Sequence, residues 1–79
     1  MSKSFSAEAE KVAALLRTVR SETGTTQADL ANRLKVPQSF VSKYETGERR
    51  LDLPELRKIC KALGISLVEF VRRFEKENT

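Results

Sequence analysis

The sequence predicts an all-α protein, a bundle of five short helices, and three observations support this fold class. Apolar residues recur every three or four positions along most of the chain, which is the period of one helix face. Gly24, Gly47 and Gly64 each follow such a segment, and glycine is typical just beyond a helix end. No segment alternates apolar and polar residues well enough to form a strand.

The first helix is predicted to run from Ala7 to about Thr23, where Gly24 stops it. Its apolar stripe consists of Val12, Leu15, Leu16 and Val19. Residues 1–6 come before this stripe and are predicted to form a flexible N-terminal arm. Residues 7–79 are predicted to form a single domain, because a chain of 79 residues has no room for two.

The second and third helices are predicted at Gln27 to Leu34 and at residues 38–45. Before the second helix, Thr26 and Asp29 have the spacing of a capping box, in which each side chain accepts from the other residue's backbone N–H. Pro37 separates the two helices, and proline is tolerated at the start of a helix, where no N–H is required.

The fourth and fifth helices each follow a polar residue that has an acid three positions later, which again indicates a helix start. The two pairs are Asp52 with Glu55 and Ser66 with Glu69. Apolar residues at helical spacing follow both, and those of the fourth helix are Leu56, Ile59, Cys60 and Leu63. Cys60 is expected to be a buried thiol on this stripe.

Composition argues against several functions. The chain has no histidine, the commonest general acid–base group, and its single cysteine, Cys60, has no imidazole to activate it. No phosphate-binding glycine motif and no set of residues at metal-ligand spacing occurs. We therefore expect no enzyme activity, no cofactor, no metal and no small-molecule substrate. The longest apolar run, residues 12–16, is too short for a membrane span. The protein is expected to be cytoplasmic, with no membrane partner.

Residues 26–47 carry the functional interpretation. They comprise a helix, a tight turn and a second helix, the order of a helix-turn-helix, whose second helix lies in the DNA major groove. Val41 and Tyr44 should point inward. The outward residues, predicted to read base edges, are Gln38, Ser39, Phe40, Ser42 and Lys43. Gln38 suits adenine, Lys43 suits guanine or a phosphate, and an exposed Phe40 could contact a thymine methyl group. Any amphipathic helix, however, also has polar residues outside.

Residues 16–70 resemble the phage-repressor and Cro-like helix-turn-helix family, also called the xenobiotic-response-element (XRE) family. The matching residues are Leu16, Val19, Arg20, Gly24, Thr26, Gln27, Leu30, Ala31, Leu34, Val41, Ser42, Glu45, Gly47, Arg49, Leu56, Ile59 and residues 62–66. The resemblance implies five helices, binding of double-stranded DNA at operators of two-fold symmetry, and regulation of transcription.

The resemblance also implies roles for single residues. Gln27 would bind a phosphate and support the recognition helix, and Arg20 and Glu45 would form a partly buried ion pair that fixes this helix. The complete set of predicted phosphate contacts is Thr26, Gln27, Thr46, Arg49 and Arg50. Two positions depart from the family pattern, because Pro37 replaces the usual polar cap and Thr46 replaces an asparagine that often binds phosphate.

A homodimer is predicted from charge and from apolar surface. The net charge of +4 suits a polyanionic partner, as it also suits plain solubility. Residues 26–50 have five basic and three acidic side chains, which argues for weak binding by a monomer. The apolar residues of the fifth helix exceed what one small bundle needs to cover, and the predicted interface is Leu67, Phe70, Val71 and Phe74. The alternative is that these residues pack within a monomer.

The sequence thus predicts a sequence-specific transcriptional regulator, most simply a repressor that binds a palindromic operator as a dimer. A phage repressor, a restriction-modification controller and an antitoxin that represses its own operon all fit this pattern. The alternative of a different class is a coactivator-like protein-interaction module with the same fold.

Overall fold

The computed structural model describes the backbone of residues 2–78 and the side chains of residues 7–78, and this part of the chain forms five helices and no strand. The helices are α1 (Ser2–Glu22), α2 (Gln27–Leu34), α3 (Gln38–Glu45), α4 (Leu53–Ala62) and α5 (Leu67–Glu77). The all-α prediction is confirmed. The predicted bounds of α2 and α3 agree with the structure at both ends.

The start of α1 differs from the prediction. The helix begins at Ser2, five residues before the expected start at Ala7, so that residues 2–6 lie in its first turns rather than in an arm. The chain has neither glycine nor proline before Gly24, and nothing in these residues breaks a helix. The apolar stripe, from which the start was predicted, shows only where the helix meets the core.

Polar caps begin three of the helices. Thr26 Oγ1 accepts a hydrogen bond from the backbone N–H of Asp29 at 3.0 Å, and the Asp29 carboxylate accepts from the Thr26 N–H at 3.3 Å. Asp52 and Glu55 form the same reciprocal box before α4, which confirms both predicted boxes. At α5, the Ser66 hydroxyl accepts from the Glu69 N–H. Pro37 precedes α3 and gives it no side-chain cap.

A left-handed residue makes the turn of the helix-turn-helix tight. Lys35 has φ of 59°, the only positive φ of a non-glycine residue among residues 2–78, and its N–H returns to the carbonyls of Ala31 and Asn32. A helix that ends in this conformation changes direction within one residue. Only Val36 and Pro37 are then needed before α3 begins.

All five helices share one hydrophobic core. Each helix contributes at least one side chain that is at most 1% exposed, and examples are Leu16, Leu30, Val41, Ile59 and Phe70. Tyr44 is also buried, as predicted, so that α3 turns one face inward and the opposite face outward. Because the recognition helix rests on the common core, its orientation depends on the whole bundle.

Two buried side chains carry polar atoms into this core. Cys60 is fully buried, as predicted, and burial raises the pKa of its thiol to about 11. The hydroxyl of Tyr44 has no hydrogen-bond partner among the described residues, and its burial raises the pKa of Tyr44. Both groups are therefore neutral at ordinary pH.

The apolar residues of α5 do not all face outward. Phe70 is 1% exposed and lies in the core of the single chain, so its assignment to a dimer interface is corrected. Leu67 and Phe74 are half-buried and pack against the same core. Val71 is 43% exposed and Val68 is 65% exposed, and these two valines form the apolar face that α5 leaves uncovered. The same amphipathic period is expected for a helix at a dimer interface and for a helix that packs on its own core. In this chain Phe70 packs in the core.

Within residues 2–78, no helix has both the length and the apolar character that crossing a membrane requires.

Candidate nucleic-acid interface

The outer face of α3 presents polar side chains to solvent. Gln38, Ser39 and Lys43 are exposed, and Ser42 is half-buried. These four residues lie on the side opposite Val41 and Tyr44, as the helical period predicts. Together they offer an amide, two hydroxyls and an ammonium group, which can donate to or accept from the edges of base pairs.

Phe40 does not belong to this exposed set. Its ring is half-buried, packs against the core and meets the Tyr44 ring edge-on, with 5.8 Å between the ring centroids. The guanidinium carbon of Arg49 lies 4.5 Å from the centroid of the Phe40 ring, which is the geometry of a cation–π contact. The expectation of an exposed Phe40 is therefore wrong, because residues beyond α3 cover the ring.

Arg49 is engaged within the chain. Its Nη1 and Nη2 donate to the two carboxylate oxygens of Glu55 at 3.0 and 2.8 Å, and Nη1 also donates to the Arg50 carbonyl at 3.1 Å. The Arg49 guanidinium, followed by the backbone N–H of Asp52, lowers the pKa of Glu55 to about 2. Arg49 thus ties the α3–α4 loop, residues 46–52, to α4. Arg50, by contrast, is exposed.

An ion pair joins α1 to the recognition helix. Arg20 Nε donates to Glu45 Oε2 at 2.7 Å, and Arg20 Nη2 donates to Glu45 Oε1 at 3.1 Å. Arg20 Nη1 also donates to the Thr25 carbonyl at 2.9 Å. The side chains of Arg20 and Glu45 are 15% and 2% exposed, so the pair is largely removed from water. The hydrogen bond to Glu45 is the main cause of the raised pKa of Arg20.

Gln27 extends this pair toward the outer face. Its Nε2 donates to Glu45 Oε1 at 2.9 Å, and its Oε1 accepts from Gln38 Nε2 at 3.4 Å. A continuous chain of side chains, Arg20–Glu45–Gln27–Gln38, therefore connects α1, α3 and α2 and ends at the exposed Gln38. We call these four residues the support network. It holds the first turn of α3 in a fixed relation to the first turn of α2.

The two threonines predicted to hold phosphates have local partners. Thr26 Oγ1 caps α2, and Thr46 Oγ1 donates to the Lys43 carbonyl at 3.1 Å. Both residues are exposed at an end of a helix-turn-helix helix. Among the predicted site residues, Gln27 of α2 and Gln38 of α3 are joined by a hydrogen bond, and Arg50 lies exposed in the adjoining loop.

Sequence reasoning missed two contributors to this surface. Glu55 was predicted only as a helix cap, although it also binds Arg49. Arg17, which no motif marked, donates through Nη1 to the Glu45 carbonyl at 3.4 Å. Its position three residues before Arg20 was the one available signal, because residues at this spacing share a helix face.

Comparison with known proteins defines the class. Residues 16–70 match the protein family described as Helix-turn-helix. The chain therefore belongs to the helix-turn-helix family, and the predicted resemblance to its XRE-type DNA-binding transcription regulators is confirmed.

Individual relatives cover most of the chain. It is 35% identical over 63 residues to the control protein C.MunI from Mycoplasma sp, a match that spans 78% of this chain and 85% of the relative. An XRE-family like protein from Pseudomonas syringae pv. tomato str. DC3000 superposes with a TM-score of 0.89 at 37% identity, covering 99% of this chain and 95% of the other. The restriction-modification controller protein C.Esp1396I, solved as a tetramer with its natural 35-base-pair operator, superposes with a TM-score of 0.83 at 33% identity, covering 89% and 92%.

Proposed function

We propose that this protein regulates transcription by binding a specific operator in double-stranded DNA, with α3 in the major groove. The observation that carries the proposal is the support network, which runs from the buried Arg20–Glu45 pair to the exposed Gln38. A side chain that reads base edges must be held in place, because a displacement of about 1 Å forfeits the hydrogen bonds that discriminate bases. The network supplies this support at the first turn of α3.

Base reading is assigned to the exposed outer face. Gln38 can donate and accept at the same time, which matches the adenine edge, and Lys43 can donate to guanine. Ser39 and Ser42 are short enough to contact either base edges or backbone. Phe40 is left out of the reading set because its ring lies beneath Arg49 and against Tyr44.

Phosphate contacts are assigned to the ends of the two motif helices and to the loop that follows. Gln27 and Thr26 would donate to phosphate oxygens from neutral groups, Thr46 would do so once its hydroxyl turns away from the Lys43 carbonyl, and Arg50 would add an exposed charge. Arg49 remains a candidate, although Glu55 already binds both of its terminal nitrogens. Contacts of this kind set the register on DNA and do not read the sequence.

We further propose that the protein binds as a homodimer on a two-fold symmetric operator. Val68 and Val71 give α5 an uncovered apolar face, and a second copy of the chain is its expected occupant. C.Esp1396I, a relative of similar fold, binds its operator as a tetramer. Two linked recognition helices would reach successive major grooves about 34 Å apart and would offset the low charge of one motif.

The two controller proteins among the relatives favour a restriction-modification controller, most simply a repressor that acts in the cytoplasm and has no enzymatic role. The protein-interaction module is the rival class, and the exposed polar face of α3 favours DNA over it.

Selection from a pool of random double-stranded DNA tests the proposal. We expect the full-length protein to enrich a palindrome, and mobility shifts at two salt concentrations should show tighter binding to this palindrome than to scrambled DNA at both. Failure to enrich any sequence, with equal binding to all duplexes, would exclude a sequence-specific regulator and leave the interaction module as the better hypothesis.

A further inference from the structure

The C-terminal end of α3 is a poor place for a phosphate unless a cation is supplied there. The last carbonyls of a helix carry negative partial charge, and the exposed Glu48 adds a carboxylate just after this end. The hydroxyl of Thr46 already donates to the Lys43 carbonyl. Lys43, the basic residue of α3, is assigned to a base edge and Arg49 is held by Glu55, so the proposed contact at Thr46 has no cation of α3 assigned to it.

Arg17 on α1 fills this position. Its Nη1 donates to the Glu45 carbonyl at 3.4 Å, which brings the guanidinium of an α1 residue to the end of α3. Arg17 is exposed and forms no ion pair with any carboxylate of the described residues. Four other arginines do form such pairs, namely Arg20, Arg49, Arg72 and Arg73. A guanidinium has five N–H donors, so most of those on Arg17 remain available to a ligand.

The surface beside Arg17 is a shallow depression of about 190 Å³. It is lined by Glu10, Arg17, Glu45, Thr46 and Gly47, together with two alanines of α1. Gly47 lies next to Glu10. A Cβ added at position 47 would be 3.8 Å from Glu10 Cγ. The carboxylate of Glu10 would repel a free anion. The depression therefore suits a phosphate that the rest of a DNA duplex holds in place rather than a dissolved one.

We infer that Arg17 binds a DNA backbone phosphate at the C-terminal end of α3 and supplies the charge that Thr46 lacks. This inference rests on the proposed function, since it assigns a further contact to the same duplex. The planar guanidinium can present two parallel N–H groups to two oxygens of one phosphate, the geometry that arginine favours. DNA would then be held on one side by Arg50 in the α3–α4 loop and on the other by Arg17 on α1.

Arg17→Ala, measured against the selected palindrome, tests the contact. We expect affinity to fall roughly tenfold, as for the loss of one charge-assisted hydrogen bond. The magnitude of the log–log salt slope should fall by about 0.9 for each bound chain, and sequence preference should not change. Arg57→Ala is the matched control, because it removes an exposed arginine of α4 with the same change of charge. Equal slopes for the two variants would overturn the inference.

Neutralising single phosphates identifies the partner. One methylphosphonate position in each half-site should weaken the wild-type protein and leave Arg17→Ala unaffected. If every position weakens both proteins equally, Arg17 touches no phosphate. Arg17 makes one long hydrogen bond within the chain, so we expect circular dichroism to show an unchanged melting temperature for the variant.

Glu10→Gln provides a second variant that does not depend on the folding of Arg17→Ala. Removing the carboxylate that lines the depression should tighten binding to the palindrome, and unchanged or weaker binding would count against the inference. If the wild-type protein enriches no palindrome, the proposed function itself fails. If it enriches one and these variants behave like Arg57→Ala, only the Arg17 contact fails.

Discussion

Gln38 is where the support network meets the proposed DNA surface. Its Nε2 donates to Gln27, and the side chain is exposed at the first turn of α3. Gln38→Ala should therefore relax sequence preference at one operator position by about 1–3 kcal/mol, since one side-chain pair with a base edge is lost. The salt slope should stay unchanged because no charge is removed.

Competition between operators that differ at one base pair measures this effect. Lys43→Ala serves as the comparison, because it removes both a polar contact and a charge and should change the salt slope as well. If Gln38→Ala leaves the preference intact at every position, Gln38 does not read a base.

Glu45 is almost fully buried and accepts from both Arg20 and Gln27. Glu45→Ala would leave the Arg20 guanidinium without its carboxylate in a site that is largely closed to water. We expect a loss of about 3 kcal/mol in the free energy of unfolding, the scale on which removal of one partner of a buried pair acts. Urea denaturation measures the loss.

Arg20→Ala and the double variant complete the cycle for this pair. The double variant should lose less stability than the two single variants added together, because it strands no charge. Additive losses would mean that the pair contributes no coupling, and the support network would then not fix α3 through it.

Glu55 makes the stability of the folded chain depend on pH in the acidic range. Because Arg49 lowers the pKa of Glu55 to about 2 in the folded chain, the carboxylate binds protons less readily there than in the unfolded chain, whose glutamate pKa is about 4.3. This stabilisation is fully present above about pH 4.5 and is lost as the pH falls toward 2. Glu55→Gln should therefore be less stable than wild type at pH 7, and the difference should shrink across this range.

Urea denaturation at several pH values between 7 and 2 measures the difference. Glu48→Gln is the control, because it removes an exposed carboxylate of the α3–α4 loop that forms no ion pair with the described residues. A stability difference between Glu55→Gln and wild type that stays constant with pH would contradict the assignment.

Arg49 and Arg50 are neighbours with different environments. Arg50 is exposed, whereas Arg49 binds Glu55 through two hydrogen bonds and lies over the Phe40 ring. Arg50→Ala should reduce the magnitude of the salt slope of DNA binding by about 0.9 for each bound chain. Arg49→Ala should lower stability more than Arg50→Ala and should change the slope less. Equal slope changes would show that Arg49 leaves Glu55 to bind a phosphate.

At the scale of helices, local signals in the sequence were sufficient where a cap marks the boundary. Thr26 and Asp52 begin α2 and α4 as predicted, because a capping box involves residues only three positions apart. The start of α1 was not predictable in this way, since Ser2 follows no cap signal. The helical class of these segments and most of their ends were thus predictable from the sequence, and the start of α1 was not.

Tertiary partners explain the site residues that the sequence did not reveal. The burial of Phe40 depends on Arg49, nine residues later, and Arg49 is positioned by Glu55 on another helix. Similarly, the period of α5 does not tell whether Phe70 faces its own core or a second chain. The outward position of Gln38 and the inward position of Val41 were predictable, because they depend only on the helical period.

The uncovered face of α5 provides a prediction about assembly. Val71→Asp places a charge at a residue that is 43% exposed in the single chain, so the bundle should keep its helical content. In a dimer the same charge would be buried without a partner, and association should be lost. Analytical ultracentrifugation at micromolar concentration should show a wild-type dimer and a Val71→Asp monomer.

Phe70→Asp is the contrasting variant, since Phe70 is 1% exposed and its replacement should unfold the chain. A wild-type monomer at this concentration, with a single half-site bound as tightly as the palindrome, would exclude the dimer.

For the whole molecule, the eight-residue lengths of α2 and α3 set a limit on how the DNA-reading surface can be reused. Isolated helices shorter than about 12–15 residues are marginal in water, so a peptide of residues 26–47 would be largely unstructured. The reading surface cannot be grafted onto another protein as a fragment, because Leu30 and Val41 take their positions from side chains of the other three helices. To change the DNA sequence that the protein prefers, the complete five-helix bundle must be kept and only the outward side chains of α3 exchanged.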